Sequence, residues 1–332
     1  MKTLHFANVY VKAWGSAGGK LESEGPIKEL LDRAFHDAYC GTSSFERAER
    51  ELIRSAVDSA LRKAKLEPNN LDVIIAGDLM NQLSASHYFA KDLHRPFIGM
   101  YAACATSSLI LAQAAILVEK MHQQRVLAFT SSHTATAERQ YRFPNEYGIQ
   151  KKATTTSTAS GAGAAIITAE PAQVRITHAC IGEIVDWHFC DANDMGRAMV
   201  PAAYKTIKQV FADTGTDFSD YDGIYTGDLS ALGFSFLCDL FIQDGYDLHN
   251  HLNDCGLMLY DRDKQDVFCG GSGCGCSMLY TFTKLMDDLT NGKANKIMVV
   301  ATGALLSPVA VQQKESIPCI AHAVIYERAG EA

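Results

Sequence analysis

Cys104 is the residue of this sequence best placed to do chemistry, because it falls where an apolar strand gives way to a helix. The surrounding stretch, residues 97–121, reads "FIGMYAACATSSLILAQAAILVEKM" and is rich in small and hydroxyl-bearing residues. At a helix N-terminus the unpaired backbone N–H groups stabilise a thiolate and can hold a developing oxyanion. A free cysteine is also commonly buried as a small hydrophobe. Both interpretations, reactive thiol and packing residue, stand at this point.

A nucleophilic cysteine needs a base within hydrogen-bond reach, and two histidines are candidates. His133 ends the string "TSSH", and His322 lies in "PCIAHAVIYE". Each is next to a predicted strand, where a histidine is commonly a structural group. Neither forms a recognisable dyad with Cys104 in the sequence, so a catalytic role for either depends on spatial proximity.

A second turn with chemical potential is "CGGSGCGCS", residues 269–277. It lacks the lysine of a phosphate-binding loop, and Cys274 stands where the final glycine of a nucleophile elbow belongs. Its cysteines also lack the paired spacing of a structural zinc site, so we expect no metal. Two interpretations remain: a nest of backbone N–H groups that binds an anion through Gly271 and Gly273, and a tight packing turn.

The elements that position both turns recur in the two halves of the chain. In each half the pattern predicts a helix, a strand, a turn, a second helix and a second strand. The string "GDL" ends the first strand of each half, at residues 77–79 and 227–229. Strands that alternate with helices predict an α/β fold with parallel crossovers and helices on both faces of the sheet. Ligands then belong at strand C-termini and helix N-termini, where both turns fall.

We therefore predict two α/β halves, residues 1–170 and 171–332. The glycine-rich segment up to about residue 40 is expected to be an arm rather than core. The first helix is predicted to bury an apolar stripe and to begin with a capping box of Ser43 and Glu46. The stripe comprises Leu52, Ile53, Ala56, Val57, Ala60 and Leu61.

The composition narrows the function classes. With 30 basic and 38 acidic residues the formal charge is −8, and no Lys/Arg run is present, which argues against a nucleic-acid partner. Ten scattered cysteines and a start without an apolar signal core predict a reducing, cytosol-like compartment. Residues 97–118 could cross a bilayer by length, but their polar members favour a helix buried in a protein core.

These motifs resemble the thiolase superfamily, whose thiolases and ketoacyl-acyl-carrier-protein synthases form acyl-cysteine intermediates. The resemblance covers about residues 48–328 and rests on "ACATSS", "SGAGAAII" and "TGALLSP". It implies a thiolase-like fold of two pseudo-equivalent α/β halves, with parallel-rich sheets packed as a layered core. Two family residues are missing: the histidine after the strand "GIYT", where "GDLS" stands, and the asparagine of the glycine turn. Without them nothing evident generates a carbanion or polarises a thioester.

A closer resemblance is to the stage V sporulation protein AD family, carried by "TSSHTATAERQYRFPNEYG", "DMGRAMVPAA" and "QQKESIPCIAHAVIYERAG". It implies a non-catalytic protein without a cofactor that binds dipicolinic acid or its calcium chelate. The family is associated with the spore inner-membrane channel, in dipicolinate uptake during sporulation and release in germination. The implied partners are the integral membrane subunits of that channel, which would hold the protein peripherally at the membrane on the spore cytoplasmic side. A homodimer is expected from the superfamily.

A flat pyridine dicarboxylate requires N–H and hydroxyl donors and a few positive groups. We therefore expect Cys104 to be a remnant nucleophile in a binding pocket, with Arg139 and Arg142 suited to a carboxylate. The predicted ligand contacts are Cys104, Ser107, Thr130, Ser131, Ser132, His133, Arg139, Gly271 and Gly273. Two alternatives remain open: an acyltransferase that uses Cys104 with His133 or His322 as base, and a structural adaptor.

Overall fold

The structure is a computed structural model that describes residues 2–141 and 152–330. Its strands are β1 (Leu4–His5), β2 (Tyr10–Gly18), β3 (Arg33–Ala34), β4 (Val73–Gly77), β5 (Phe97–Gly99), β6 (Arg125–Ser132), β7 (Ser157–Thr158), β8 (Gly161–Thr168), β9 (Val174–Ile181), β10 (Gly223–Thr226), β11 (Leu252–Asp254), β12 (Gly271–Ser272), β13 (Lys296–Ala304) and β14 (Cys319–Arg328). Its α-helices are α1 (Phe45–Ala64), α2 (Ser84–Ala90), α3 (Thr106–Met121), α4 (Thr134–Tyr141), α5 (Met195–Thr214), α6 (Ser230–Gln243), α7 (Cys255–Met258), α8 (Cys274–Tyr280), α9 (Met286–Thr290) and α10 (Pro308–Gln312). A π-helical segment, Thr281–Leu285, joins α8 to α9.

The main sheet is symmetric about its centre. Its strands follow the order β11-β10-β13-β14-β9-β2-β8-β6-β4-β5, so each half of the chain supplies five strands in a matching order. On each side the outer three strands are parallel, and the inner pairs are antiparallel. The predicted α/β fold of duplicated halves is confirmed, and along this strand order the parallel pairs are those of the outer three strands on each side. The predicted boundary near residue 170 falls between β8 and β9, and the division into two domains stays a prediction.

The helices complete a layered core. Helix α1 packs on β2 and β8, whereas α5 packs on β13, β14 and α6. Helix α3 contacts strands of both halves, and α8 contacts α3 as well as β6 and β8. The central layer therefore consists of α3 and α8, and it joins the two halves.

Burial in this central layer accounts for the apolar character of α3. Residues Ala103–Met121 are long and apolar enough to cross a membrane by length and composition. In the fold, Ile110, Leu111 and Ala114 on this helix are buried in a hydrophobic cluster that includes strand residues of both halves. This agrees with the helix in a protein core that the sequence predicts.

Helix α1 buries the stripe that its sequence predicts, since all six of the apolar residues named above are buried. The residue that caps the N-terminus of this helix differs from the prediction. Ser44, rather than Ser43, is the N-cap, and its side chain accepts a hydrogen bond from the Arg47 backbone N–H. The predicted capping box of Ser43 and Glu46 is therefore wrong: the N-cap is one residue later, and the third residue of the helix is Arg47.

The N-terminal segment is core for much of its length. Strand β2 lies at the centre of the sheet, where it pairs with β8 and β9. The predicted arm is therefore wrong for residues 10–18. The small residues that suggested an irregular segment are there because α1 approaches the strand closely: a Cβ on Gly15 would lie 2.0 Å from the Ala56 carbonyl oxygen.

Glu49 is a buried carboxyl group that joins α1 to the next layer. It accepts hydrogen bonds from the hydroxyls of Ser131 (2.9 Å) and Thr136 (2.7 Å), at the end of β6 and in α4. Burial, and to a smaller extent the nearby Asp78, raise the pKa of Glu49 to about 8. The folded protein therefore holds a proton on Glu49 at neutral pH, because the charged form would be poorly solvated.

We predict that Glu49→Gln removes a pH dependence from the stability. Between the ordinary carboxyl pKa of 4.5 and about 8, the folded state binds more protons at this position than the unfolded chain. The free energy of unfolding therefore falls as pH rises through this range in the wild type, and the fall is smaller in E49Q. Urea unfolding from pH 5 to pH 8 measures both proteins. A difference between them that stays constant across this range would contradict the burial effect.

Candidate functional site

Cys104 lies on the turn that leads from β5 into α3. Ala103 has a φ of +49°, in the left-handed region that residues with a side chain rarely adopt. The Thr106 hydroxyl holds this turn, since it donates to the Ala103 carbonyl at 2.6 Å and accepts from the Ala102 N–H at 2.9 Å. The Cys104 side chain is thereby presented just before the first residue of α3.

Two glycines leave space for this turn. A Cβ on Gly77, at the end of β4, would lie 2.2 Å from the Met100 carbonyl oxygen. A Cβ on Gly303, in β13, would lie 2.4 Å from the Ala102 carbonyl oxygen. One glycine belongs to each half of the chain, so the turn that carries Cys104 is wedged between the halves.

Asp228, the residue after Gly227 at the end of β10, is the charged neighbour of Cys104. Its carboxylate accepts hydrogen bonds from the Gly273 N–H at 2.9 Å and the Thr302 hydroxyl at 2.7 Å. The Cys104 thiol also hydrogen-bonds to this carboxylate. The stretch "GDLS" after this strand contains no histidine, and Asp228 is the acidic residue within it.

The environment of Cys104 favours the neutral thiol. Burial is the largest cause that raises its pKa well above the ordinary thiol value, and the charge of Asp228 is the next. The Gly273 N–H also contacts the sulfur and lowers the pKa of the thiol, as expected for a glycine turn that presents N–H groups. This lowering is smaller than the rise caused by burial and Asp228. The resting state is therefore a protonated cysteine.

Cys104 opens onto a small pocket with a volume of about 40 Å³. Both halves of the chain line it. The lining residues are Leu79, Tyr101, Ala103, Cys104, Ala137, Glu138, Tyr141, Thr158, Met195, Ser272, Ala304 and Leu306. Among these described residues the polar groups are hydroxyls, the thiol and one carboxyl group, with no Lys, Arg or His. The lining can bind a ligand through hydroxyl and aromatic contacts.

Of the nine predicted contacts, the structure brings Cys104 and Gly273 together. Gly271 lies next to Ser272, which lines the pocket, but the Gly271 carbonyl accepts a hydrogen bond from the Ser230 hydroxyl at 2.8 Å. The glycine turn therefore contributes one N–H group and one hydroxyl to the neighbourhood of the thiol.

The predicted hydroxyl contacts are not among the described residues that line the pocket, and each has a protein partner. The partners are the Ser277 hydroxyl (2.6 Å from that of Ser107), the Cys274 carbonyl (3.1 Å from Thr130), the Glu49 carboxyl (2.9 Å from Ser131) and the Ala159 carbonyl (2.7 Å from Ser132). The Ser107–Ser277 pair links α3 to α8 across the centre of the molecule. These hydroxyls hold the layers together, so the structure does not place them at the pocket as predicted.

The predicted basic groups are also elsewhere. His133 donates from Nε2 to the Ala38 carbonyl at 2.8 Å, and burial lowers its pKa. Arg139 is exposed and pairs with Glu46 at 3.1 Å. Arg142 lies outside the described residues.

His322 does not supply the missing base either. It is buried in β14, where its Nδ1 accepts a hydrogen bond from the Gly182 N–H at 3.2 Å. Burial lowers its pKa to about 4, so the imidazole is neutral. Neither His322 nor His133 lines the pocket. Within the described ranges no group of three or more His, Cys, Asp or Glu side chains is arranged to hold a metal ion.

Sequence reasoning missed three residues of the site. Asp228 is the first of them, and the repeated "GDL" string was the signal that it ends a strand at the edge where ligands bind. Its counterpart Asp78 does cap, since it accepts the N–H groups of Met80 and Ser86. Tyr101 and Tyr141, which face each other at the pocket, carry no motif that marks them.

Solved structures with a similar fold include a synthase. The chain is similar to 3-oxoacyl-[acyl-carrier-protein] synthase III from Aquifex aeolicus VF5, with a TM-score of 0.58, 12% identity, and coverage of 96% of this chain and 99% of that one. It is also similar to cerulenin-bound OleA from Xanthomonas campestris, with a TM-score of 0.62, 14% identity and coverage of 97% of both chains. At these identities the likeness establishes the thiolase-like fold alone.

The sequence comparisons are more specific. A curated relative, stage V sporulation protein AD of Bacillus subtilis (strain 168), is 47% identical over 324 residues, which cover 98% of this chain and 96% of the relative. The family profile of stage V sporulation protein AD matches residues 1–327. These matches support a role in sporulation. The chain belongs to the stage V sporulation protein AD family.

Proposed function

We propose that this protein is a non-catalytic binding component for dipicolinic acid, or for its calcium chelate, in the spore inner-membrane channel. It would act in dipicolinate uptake during sporulation and in release during germination. The proposal that the protein is not a catalyst rests on one observation: the carboxylate of Asp228 lies next to the thiol of Cys104. Family membership carries the choice of ligand.

The Asp228–Cys104 contact opposes nucleophilic catalysis. A cysteine nucleophile reacts as the thiolate, which nearby positive groups stabilise. Here the neighbour is acidic, and it raises the pKa of Cys104 in addition to burial. Among the described residues, no histidine lines the pocket to accept the proton. The fold of an acyl-transferring synthase is thereby retained without the groups that would activate its cysteine.

The pocket has features of a small-ligand site. It is concave, largely apolar, and contains the hydroxyls of Thr158 and Ser272 together with two tyrosines. Its described lining includes the carboxyl group of Glu138, and Asp228 lies beside the thiol. Calcium takes carboxylate oxygens as ligands, whereas a dianion is repelled by them. We therefore expect the calcium chelate to bind more tightly than free dipicolinate.

The protein would be held at the membrane by the integral subunits of the channel. The protein would then be a peripheral membrane protein on the spore cytoplasmic side. We also propose that it assembles as a homodimer, as the thiolase-like fold suggests. Both proposals extend the family resemblance.

We predict that Asp228→Asn makes Cys104 more reactive. Loss of the negative charge lowers the pKa of the thiol, so iodoacetamide should alkylate Cys104 faster at pH 8. The expected gain is about threefold for each unit by which the pKa falls, because the tenfold gain in thiolate is partly offset by weaker nucleophilicity. Peptide mass spectrometry over time measures the rate at Cys104.

Asp239→Asn is the matched control for this experiment, because Asp239 is an exposed residue of α6 that does not line the pocket. It should alkylate like the wild type. A D228N protein that is folded and alkylates no faster than the wild type would show that Asp228 does not hold the thiol protonated.

We predict that calorimetric titration with dipicolinate gives saturable binding near one ligand per chain, tighter with equimolar calcium. Cys104→Ala should retain binding, because the backbone N–H of Gly273 remains. Cys104→Phe should abolish it, because the ring fills a pocket of about 40 Å³. Cys190→Phe, at an exposed cysteine, is the control. If Cys104→Phe binds like the wild type, the ligand lies elsewhere.

The wild type and the Cys104 variants also distinguish the proposed function from the two alternatives. An acyltransferase would leave an acyl adduct on Cys104 after incubation with acyl-coenzyme A, detectable by intact mass and absent in Cys104→Ala. A structural adaptor would give no heat with either form of dipicolinate, and its binding to membrane subunits would be unaffected by Cys104→Phe.

A further inference from the structure

A second and larger cavity lies directly outside the Cys104 pocket. It has a volume of about 450 Å³ and is more open to solvent. Its described lining is Met80, Asn81, Gln82, Leu83, Tyr101, Gln140, Tyr141, Leu305, Leu306, Ser307 and Pro308. Three of these residues, Tyr101, Tyr141 and Leu306, also line the inner pocket. The two cavities therefore share a wall, and two tyrosines form much of it.

The two tyrosine hydroxyls close this wall with hydrogen bonds. The Tyr141 hydroxyl donates to the Leu79 carbonyl at 2.5 Å, and it lies 2.8 Å from the Tyr101 hydroxyl. Because Tyr141 uses its proton on Leu79, Tyr101 is the donor in the pair. Burial raises the pKa of both hydroxyls, so both groups stay protonated at neutral pH. Two hydrogen bonds between neutral groups, Tyr101 to Tyr141 and Tyr141 to Leu79, therefore hold this wall closed.

The two side chains are not equally constrained. Tyr141 is half-buried at the end of α4 and anchored to the turn after β4 through Leu79. Tyr101 is 46% exposed and lies on the turn between β5 and α3. A rotation of the Tyr101 side chain breaks one hydrogen bond and merges the two cavities, without disturbing the sheet or the helices.

We propose that Tyr101 and Tyr141 are a gate that controls access from the outer cavity to Cys104 and selects flat aromatic ligands. The inference rests on the proposed function for the identity of the ligand, a planar aromatic dicarboxylate. With the gate closed, the inner pocket has a volume of about 40 Å³, so a six-membered ring with two carboxylates enters only when the tyrosines separate. A flat ring passes between two aromatic side chains and stacks on them, whereas a bulky tetrahedral ligand of the same charge does not.

The gate can be tested without dipicolinate, through the accessibility of the Cys104 thiol. Tyr101→Phe and Tyr141→Phe keep the rings but remove the hydrogen bond between them. Tyr101→Phe loses one hydrogen bond of ordinary strength, which should raise the open population, and hence the alkylation rate of Cys104, about fivefold. Tyr141→Phe also loses the hydrogen bond to the Leu79 carbonyl, so its alkylation rate should rise further. Tyr88→Phe is the control, since Tyr88 is exposed on α2 and lines neither cavity. Unchanged Cys104 alkylation in both gate variants would overturn the proposal.

A kinetic experiment then tests the gate with the ligand. In stopped-flow mixing with calcium dipicolinate, Tyr101→Phe should raise the association and dissociation rates by a similar factor, with a small change in Kd. A changed Kd with an unchanged association rate would assign Tyr101 to ligand contact alone and overturn the gate. If wild-type protein binds no dipicolinate, the proposed function fails, while the alkylation rates still decide whether the tyrosines gate the pocket.

Discussion

The contact between the Asp228 carboxylate and the Cys104 thiol is the interaction on which the rest of the site depends. The carboxylate comes from the second half of the chain, the thiol comes from the first, and the Gly273 N–H contacts both. The Thr302 hydroxyl fixes the other carboxylate oxygen. Burial, with this contact as the second cause, raises the pKa of the thiol and keeps the sulfur protonated, and the contact also joins the two halves of the chain. Cys104 therefore lies on a turn with the geometry of a nucleophile turn, but its protonated thiol serves as part of the pocket floor.

The duplicated fold explains why this pocket exists where it does. Each half ends its first strand with "GDL", and the two carboxylates have different tasks. Asp78 caps α2 through the N–H groups of Met80 and Ser86, whereas Asp228 faces the cysteine. A symmetric framework therefore carries an asymmetric site, because the Cys104 turn enters from one half only. Close packing of that turn, through Gly77 and Gly303, couples its geometry to the strands of both halves.

Periodicity in the sequence predicts most of the fold, because helix stripes and buried strands are local patterns. The centre of the sheet was missed at β2, where small residues serve close helix packing and look like an irregular segment. The site was predicted in part. Cys104 and Gly273 follow from turn chemistry, but the hydroxyls at the end of β6 are used for packing between layers. Tyr101 and Tyr141 are distant in the chain, so only the folded structure brings their hydroxyls together.

The central claim is that the Cys104 turn is the floor of a ligand pocket. The most direct measurement is a crystal structure of the full chain grown with calcium dipicolinate. We expect the pyridine ring between Cys104 and the two tyrosines, with Tyr101 rotated away from Tyr141 and the sulfur unmodified. A ligand bound at another surface, with the Tyr101–Tyr141 hydrogen bond intact and the pocket unchanged, would contradict the claim.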